Sequence, residues 1–275
     1  MTSARPALEA IGQMPDAEID IADAALQLAR VDAPEADWHA ARAHLSELAR
    51  DAASLAAEVP DDDLPARAGA LAGLLAGRHG YRGDRADYDN PANANLIRVI
   101  ERRRGLPVAL GILWLHAARA ARWPACGLDF PGHFLLALEG AAGQVVMDVF
   151  AGGEALDVAG LRALLRRVEG PGAELRPELL SPMPARSVLL RLQNNIKLRR
   201  LRSDDREGAL ACAEDMLRIA PDNAALWREA GQMNARLERV GAALRCFERF
   251  LLLVPAGEAA ARTRATMDEL RSRLN

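Results

Sequence analysis

"PGHFLLALEGAAGQVVMDVF", residues 131–150, reads as two short apolar runs around a turn of small residues, the pattern of an antiparallel hairpin. Each run carries one polar residue suited to catalysis, His133 and Asp148. In an antiparallel pair, opposed residues share a constant sum of residue numbers and lie on one face. A two-residue turn at Gly140-Ala141 gives a sum of 281 and sets His133 directly opposite Asp148. A four-residue loop, Gly140 to Gly143, gives 283 and shifts the pair by two positions on the same face. Only a loop of odd length separates them. A histidine held by an aspartate is two thirds of a catalytic triad, so the hairpin predicts a His–Asp centre and raises the question of a nucleophile.

Upstream, "PVALGILWLHAARAAR" starts at Pro107, a residue preset for a first helical turn, and is apolar on most faces, which predicts a central helix. Before it, "YDNPANANLIRVIERRRG" holds a turn at Asn90-Pro91, a short helix and a stop at Gly105. Helices are also expected over 16–30, 35–58 and 62–79. "ACGLDF" adds a third short strand, Gly152-Gly153 ends the sheet, and "LDVAGLRALLRRV" returns to helix. The Pro-rich stretch 171–184 is the linker candidate, which divides the chain into 1–175 and 176–275. The first part is expected to be α+β with a small antiparallel sheet, the second all-α.

The second part contains a repeat. "ALACAEDMLRIAP" (209–221) and "ALRCFERFLLLVP" (243–255) match at spaced positions, and Pro221 and Pro255 stand 34 residues apart. That period is the tetratricopeptide spacing. Trp227, Gly231, Ala243, Phe247 and Pro255 fall on that family's signature positions, whereas the preceding unit carries Gln193 and Lys197 where Trp and Gly are expected. A helix over 258–273 caps the pair.

Bulk composition excludes several functions. A net charge of −3 gives no reason to expect nucleic acid, and no apolar run approaches the roughly 18–20 residues of a membrane span. Three cysteines, Cys126, Cys212 and Cys246, have no CxxC spacing, so neither a disulfide framework nor a metal site is expected. No cofactor motif is present, and a cytoplasmic location is the default expectation without a signal-peptide core.

A histidine followed about fifteen residues later by an aspartate, after a central helix, resembles the transglutaminase-like superfamily, which shares a papain-like Cys-His-Asp arrangement. The resemblance implies a cysteine at the amino end of the central helix, about seventeen residues before a Gly-Ile/Leu-Pro element. Here "RWP" ends at Pro124, and the count back reaches Pro107. Neither Pro107 nor its neighbours Leu106, Val108 and Ala109 can attack a carbonyl. "ERRRGLP", "PGHF" and "MDVFAGGEAL" together are similar to a narrower bacterial family named after the invasion regulator SirB, which joins such a core to C-terminal tetratricopeptide repeats.

Two functions compete. One is a non-catalytic protein- or peptide-binding or regulatory factor, with the cleft kept for recognition. The other is a hydrolase or amidase using His133 as general base and Asp148 as its orienter, with water or an unrecognised nucleophile attacking. Asn93 and Asn95 either line the groove or serve as cap and turn residues, and Glu101 is expected to pair with a following arginine. The first helices of the repeat units, 187–201 and 223–236, present Arg191, Asn194, Asn195, Arg199, Arg228 and Asn234. The family's usual docking face implies an acidic or C-terminal peptide there.

Overall fold

The computed structural model describes residues 4–60, 62–141 and 143–272. Ala142 of the hairpin loop and Arg273, the expected end of the last helix, lie outside them. The chain begins with α1 (Arg5–Gln13), α2 (Ile21–Asp32), α3 (Trp38–Ala56) and α4 (Leu64–Ala72), which widens into a π-type coil over Gly73–Arg78. Next come β1 (Arg82–Gly83), α5 (Leu96–Arg102), β2 (Arg104–Gly105) and α6 (Pro107–Ala120). The sheet region holds β3 (Ala125–Leu128), β4 (Leu135–Gly140), β5 (Gly143–Asp148), β6 (Glu154–Leu156), α7 (Val158–Glu169) and β7 (Pro182–Met183). Helices α8 (Ala185–Arg202), α9 (Arg206–Ile219), α10 (Ala224–Arg236), α11 (Val240–Leu253) and α12 (Glu258–Ser272) complete the described chain.

Two compact units result, Pro15–Leu192 and a second made of Met1–Met14 with Gln193–Asn275. The division therefore falls at 192–193 instead of 175–176, and the first helix groups with the last ones. Local capping also moves two predicted ends. The helix expected from residue 16 starts at Ile21, because the Asp20 carboxylate accepts from the backbone N–H groups of Ala22 and Asp23. The helix expected to stop at Gly105 stops at Arg102, with Arg103 in the left-handed region at φ 56°.

In the first unit the sheet is antiparallel, in the order β6-β5-β4-β3-β7. Leu136 faces Met147 and Glu139 faces Gln144, a sum of 283, so the register is that of the four-residue loop. Helix α6 is the central helix, buried at ten of its residues. Phe134 locks it to the sheet: a Cβ on Gly111 or Gly127 would lie 2.1 or 2.5 Å from the Phe134 ring. On another surface Leu128, Leu135, Ala137 and Val146 pack with Leu161, Leu164 and Leu165 of α7. Each buried leucine or valine among them contributes about 1.5–3 kcal/mol of transfer free energy.

The second unit stacks α9 to α12. In its better-formed repeat, Gly231 admits Phe247 so closely that a Cβ would stand 2.5 Å from the ring. Thirty-four residues earlier the sizes are exchanged, Lys197 in place of the glycine and Ala213 in place of the phenylalanine. The Lys197 side chain is buried, and its Nζ donates to both carboxylate oxygens of Glu229 at 2.6 Å. Helix α1 packs on α9 through buried Leu8 and Ile11, with Gly12 against the Arg218 carbonyl and Arg5 Nε 3.3 Å from Asp215.

Candidate functional site

His133 stands not in a strand but in the turn before β4, where Gly132 adopts φ 61° and the His133 N–H donates to the Phe130 carbonyl. The buried wedge of Phe134 fixes the next residue. Asp148 closes β5. The His133 Nε2 and Asp148 Oδ1 are 2.9 Å apart, and the same oxygen accepts from the backbone N–H of Phe150 at 3.0 Å and Ala151 at 3.1 Å. Burial on its own raises the Asp148 carboxyl, but the hydrogen bond and charge of His133, with the two backbone donors, outweigh it and hold it below the ordinary carboxylate value. An ionised carboxylate only accepts, so Nε2 carries the proton and Nδ1 is left to face chemistry. Among the described residues Nδ1 has no hydrogen-bond partner.

Three further side chains complete the surroundings. The Phe150 ring stands edge-on to His133, centroids 6.1 Å apart, and edge-on to Tyr88 at 5.9 Å. Arg191 donates to the carbonyl of His133 at 2.6 Å and of Phe130 at 3.2 Å, and pairs with Asp129. Arg191 thus braces the histidine turn. Phe150 follows from the observed register, since 133 + 150 = 283, which the sequence left open against 281; Tyr88 and Arg191 have no local signal.

The amino end of α6 is tied to the same place by backbone bonds. Gly83 N–H donates to the Phe150 carbonyl at 3.1 Å, Asp84 N–H to Gly105 at 3.3 Å, and Leu106 N–H to Asn93 at 2.9 Å. Pro107 occupies the first helical position, and Pro107–Leu110 contains no hydroxyl or thiol. Cys126 is no substitute. It lies on β3, two strand spacings or about 10 Å from β5. Burial, then the hydrogen bond to Glu139 at 3.4 Å and its charge, push the thiol up to about 12, so it stays protonated.

Asn93 and Asn95 are both buried and their polar atoms are spent. Asn93 accepts from Arg102 and donates to the Asp87 carbonyl at 2.7 Å; Asn95 caps α5 and donates to the Ala29 carbonyl and Asp32. These are the bonds of turn and cap residues. Glu101 pairs with the preceding Arg98 at 3.0 Å, a correction to the expected following arginine, because Arg102 is committed to Asp84 at 2.9 Å. In the repeat unit Arg199 donates to the Asn195 carbonyl and side-chain oxygen, each at 3.2 Å, and Asn234 is buried against the Ala230 carbonyl.

A second set of histidines lies in the first unit. His79 Nε2 is 2.9 Å from Asp51, and His44 Nδ1 is 3.0 Å from Glu47. Arg103 reaches His44 Nε2 at 2.6 Å and the Tyr81 hydroxyl. Arginine can only donate, so His44 Nε2 must accept and the ring is neutral. Burial first, then the Arg103 charge, lowers the His44 pKa, while burial pushes Tyr81 up to about 12.

Among the described residues, no group of three or more His, Cys, Asp or Glu is placed to hold a metal ion, and no helix is long and apolar enough to cross a membrane. Residues 39–194 match a family model described as a transglutaminase-like superfamily core, and residues 196–275 match a tetratricopeptide repeat. A UPF0162 protein of Xylella fastidiosa strain Temecula1 is 33% identical over 206 residues, 74% of this chain and 73% of that one. Protein SirB1 of Salmonella typhimurium is 28% identical over 168 residues, 61% and 62% of the two chains. Mouse F-box only protein 21 is 30% identical over 124 residues, 42% of this chain and 19% of that one. No solved structure matches. The chain belongs to the UPF0162/SirB1 family, a transglutaminase-like core followed by tetratricopeptide repeats.

Proposed function

We propose that the protein is a non-catalytic recognition or regulatory factor, in which the surface around His133 and Asp148 binds a protein or peptide segment and the repeat unit supplies further docking surface. The observation that carries this reading is Pro107 at the first position of α6, with no nucleophilic side chain in that turn. A papain-type centre needs a thiolate at a helix amino end beside the imidazole, and proline offers neither a thiol nor a backbone donor. The repeat family favours protein interaction in general. Asn195 and Arg199 remain candidates for docking, since both are half-buried on α8.

The second reading, a hydrolase or amidase, is favoured by one feature: Asp148 orients the ring and leaves Nδ1 able to take a proton from water. A screen of peptide and amide substrates, wild type against His133→Ala, separates the two. Turnover that disappears with His133→Ala overturns the non-catalytic reading; no turnover by either supports it. Pro107→Cys sharpens the result. If the helix end addresses the imidazole, the new thiol alkylates at neutral pH at least about tenfold faster than one with an ordinary pKa near 8.5, and loses that advantage when His133→Ala is added.

A further inference from the structure

A cleft of about 470 Å³ opens in the first unit where α6 gives way to β3. Its apolar wall is made by Ile19, Ile21, Leu115, Trp123, Met183 and Val188. The charged residues lining it are Arg119 and Arg122, with no aspartate or glutamate beside them. Three nearby carboxylates are committed elsewhere, and Glu18, between the lining residues Ala17 and Ile19, is exposed to solvent. Asp16 accepts from the N–H groups of Ala185 and Arg186 at 2.7 and 3.0 Å, Asp20 caps α2, and Glu139 takes the Cys126 thiol hydrogen. Arg119 gives one N–H to the Ile19 carbonyl at 3.1 Å. The Arg122 guanidinium makes no hydrogen bond or ion pair with any described residue.

Arg122 is unusual in its backbone as well. It sits just past the end of α6 at φ 57°, a position where glycine is the relaxed choice. An arginine is held there, at the cost of left-handed strain, beside an apolar cleft. Clefts of 300–1,000 Å³ with mostly apolar walls and a few polar groups are the usual form of small-molecule sites. Guanidinium groups recognise carboxylate and phosphate through paired N–H donors.

We infer that this cleft binds a small amphiphilic anion, its apolar body against Trp123, Met183 and Val188 and its carboxylate or phosphate head at Arg119 and Arg122. The site shares no polar residue with the His133 centre, so it stands or falls independently of the function proposed above.

Calorimetric titration of the full chain with octanoate, octyl phosphate and 1-octanol tests it. At least one of the two anions binds about tenfold or more tightly than the alcohol of the same chain length, and the tighter of the two identifies the head group. Arg122→Gly weakens the anion at least about tenfold, leaves octanol unchanged, and keeps or raises the melting temperature because glycine is relaxed at that φ. Ala17→Trp, at an exposed wall position, blocks all three ligands. Equal affinity for anion and alcohol, no heat at millimolar ligand, undiminished anion binding in Arg122→Gly, or undiminished binding of any ligand in Ala17→Trp overturns the inference.

Discussion

The first unit contains two kinds of histidine–carboxylate pair, and they are built to opposite ends. Around His44 and Tyr81 both ring nitrogens of the histidine and the tyrosine hydroxyl are answered by other side chains, and the Tyr81 ring is fully buried. At His133 only one ring nitrogen is answered, by Asp148, and the ring borders Phe150 where β4 begins and β5 ends. A carboxylate beside an imidazole therefore does not by itself mark a site. His79 is held by Asp51 in the same one-sided way, so what sets His133 apart is that arrangement placed beside the amino end of α6. Both of the His44 ring nitrogens are spent, which makes that cluster a structural joint between α3, the segment after α4 and the turn before β2.

The largest expected effect that tests this contrast is in the joint. Arg103→Ala strips the buried Tyr81 hydroxyl of its donor and is expected to lose about 3 kcal/mol in urea denaturation. Arg103→Gly loses the same contacts but relaxes the left-handed backbone, so it should be less destabilised by about 1 kcal/mol. Equal losses would mean that the φ of 56° carries no strain.

Next comes the His133–Asp148 pair. Asp148→Ala removes three bonds to one oxygen and is expected to lose about 2 kcal/mol. Asp148→Asn, which can still accept from Phe150 and Ala151, should lose less. If Ala and Asn are equally damaging, the negative charge of Asp148 beside His133 matters more than the backbone bonds.

The smallest effects are in pH dependence, and the two pairs occupy separate windows. Asp148 has a depressed folded pKa, so its contribution is present above the ordinary carboxylate value of 3.8 and is lost as pH falls through its folded value. His44 has a lowered folded pKa, so below 6.5 the unfolded chain takes up the extra proton and stability declines as pH falls. Denaturation midpoints between pH 7 and 5 should fall for the wild type and for Asp148→Asn, and flatten for His44→Gln. A wild type with no slope in that range would show that His44 is not held neutral.

How much of this was legible follows from what each residue needs. The hairpin parity and the central helix depend on neighbours in sequence, and period and turn chemistry reveal both. Pro107 was readable as a helix start from its own backbone chemistry, and as the nucleophile position only through the family resemblance. Arg191 and Tyr88 were not, since each reaches the site across tens of residues through contacts that no local pattern encodes. Strands β1 and β2 are two residues each, too short to show a period, yet they hold the end of α6 against Phe150. Helix α1 carries only Leu8 and Ile11 as buried apolar residues, which cannot announce a partner some two hundred residues away. The histidine turn was misread as strand because "GHF" continues the apolar run; the positive φ of Gly132 breaks it.

The exchange of glycine and phenylalanine for Lys197 and Ala213 has one more consequence. Lys197 is the single lysine of the chain, and its amine is closed off from solvent by Glu229. Amine-directed acylation of the folded protein therefore has one side-chain target, and that target reacts only when the first repeat opens. The chain carries a built-in opening counter: the acylation rate at residue 197, set against that of an exposed amine, reads the local unfolding equilibrium of the repeat unit without any added label.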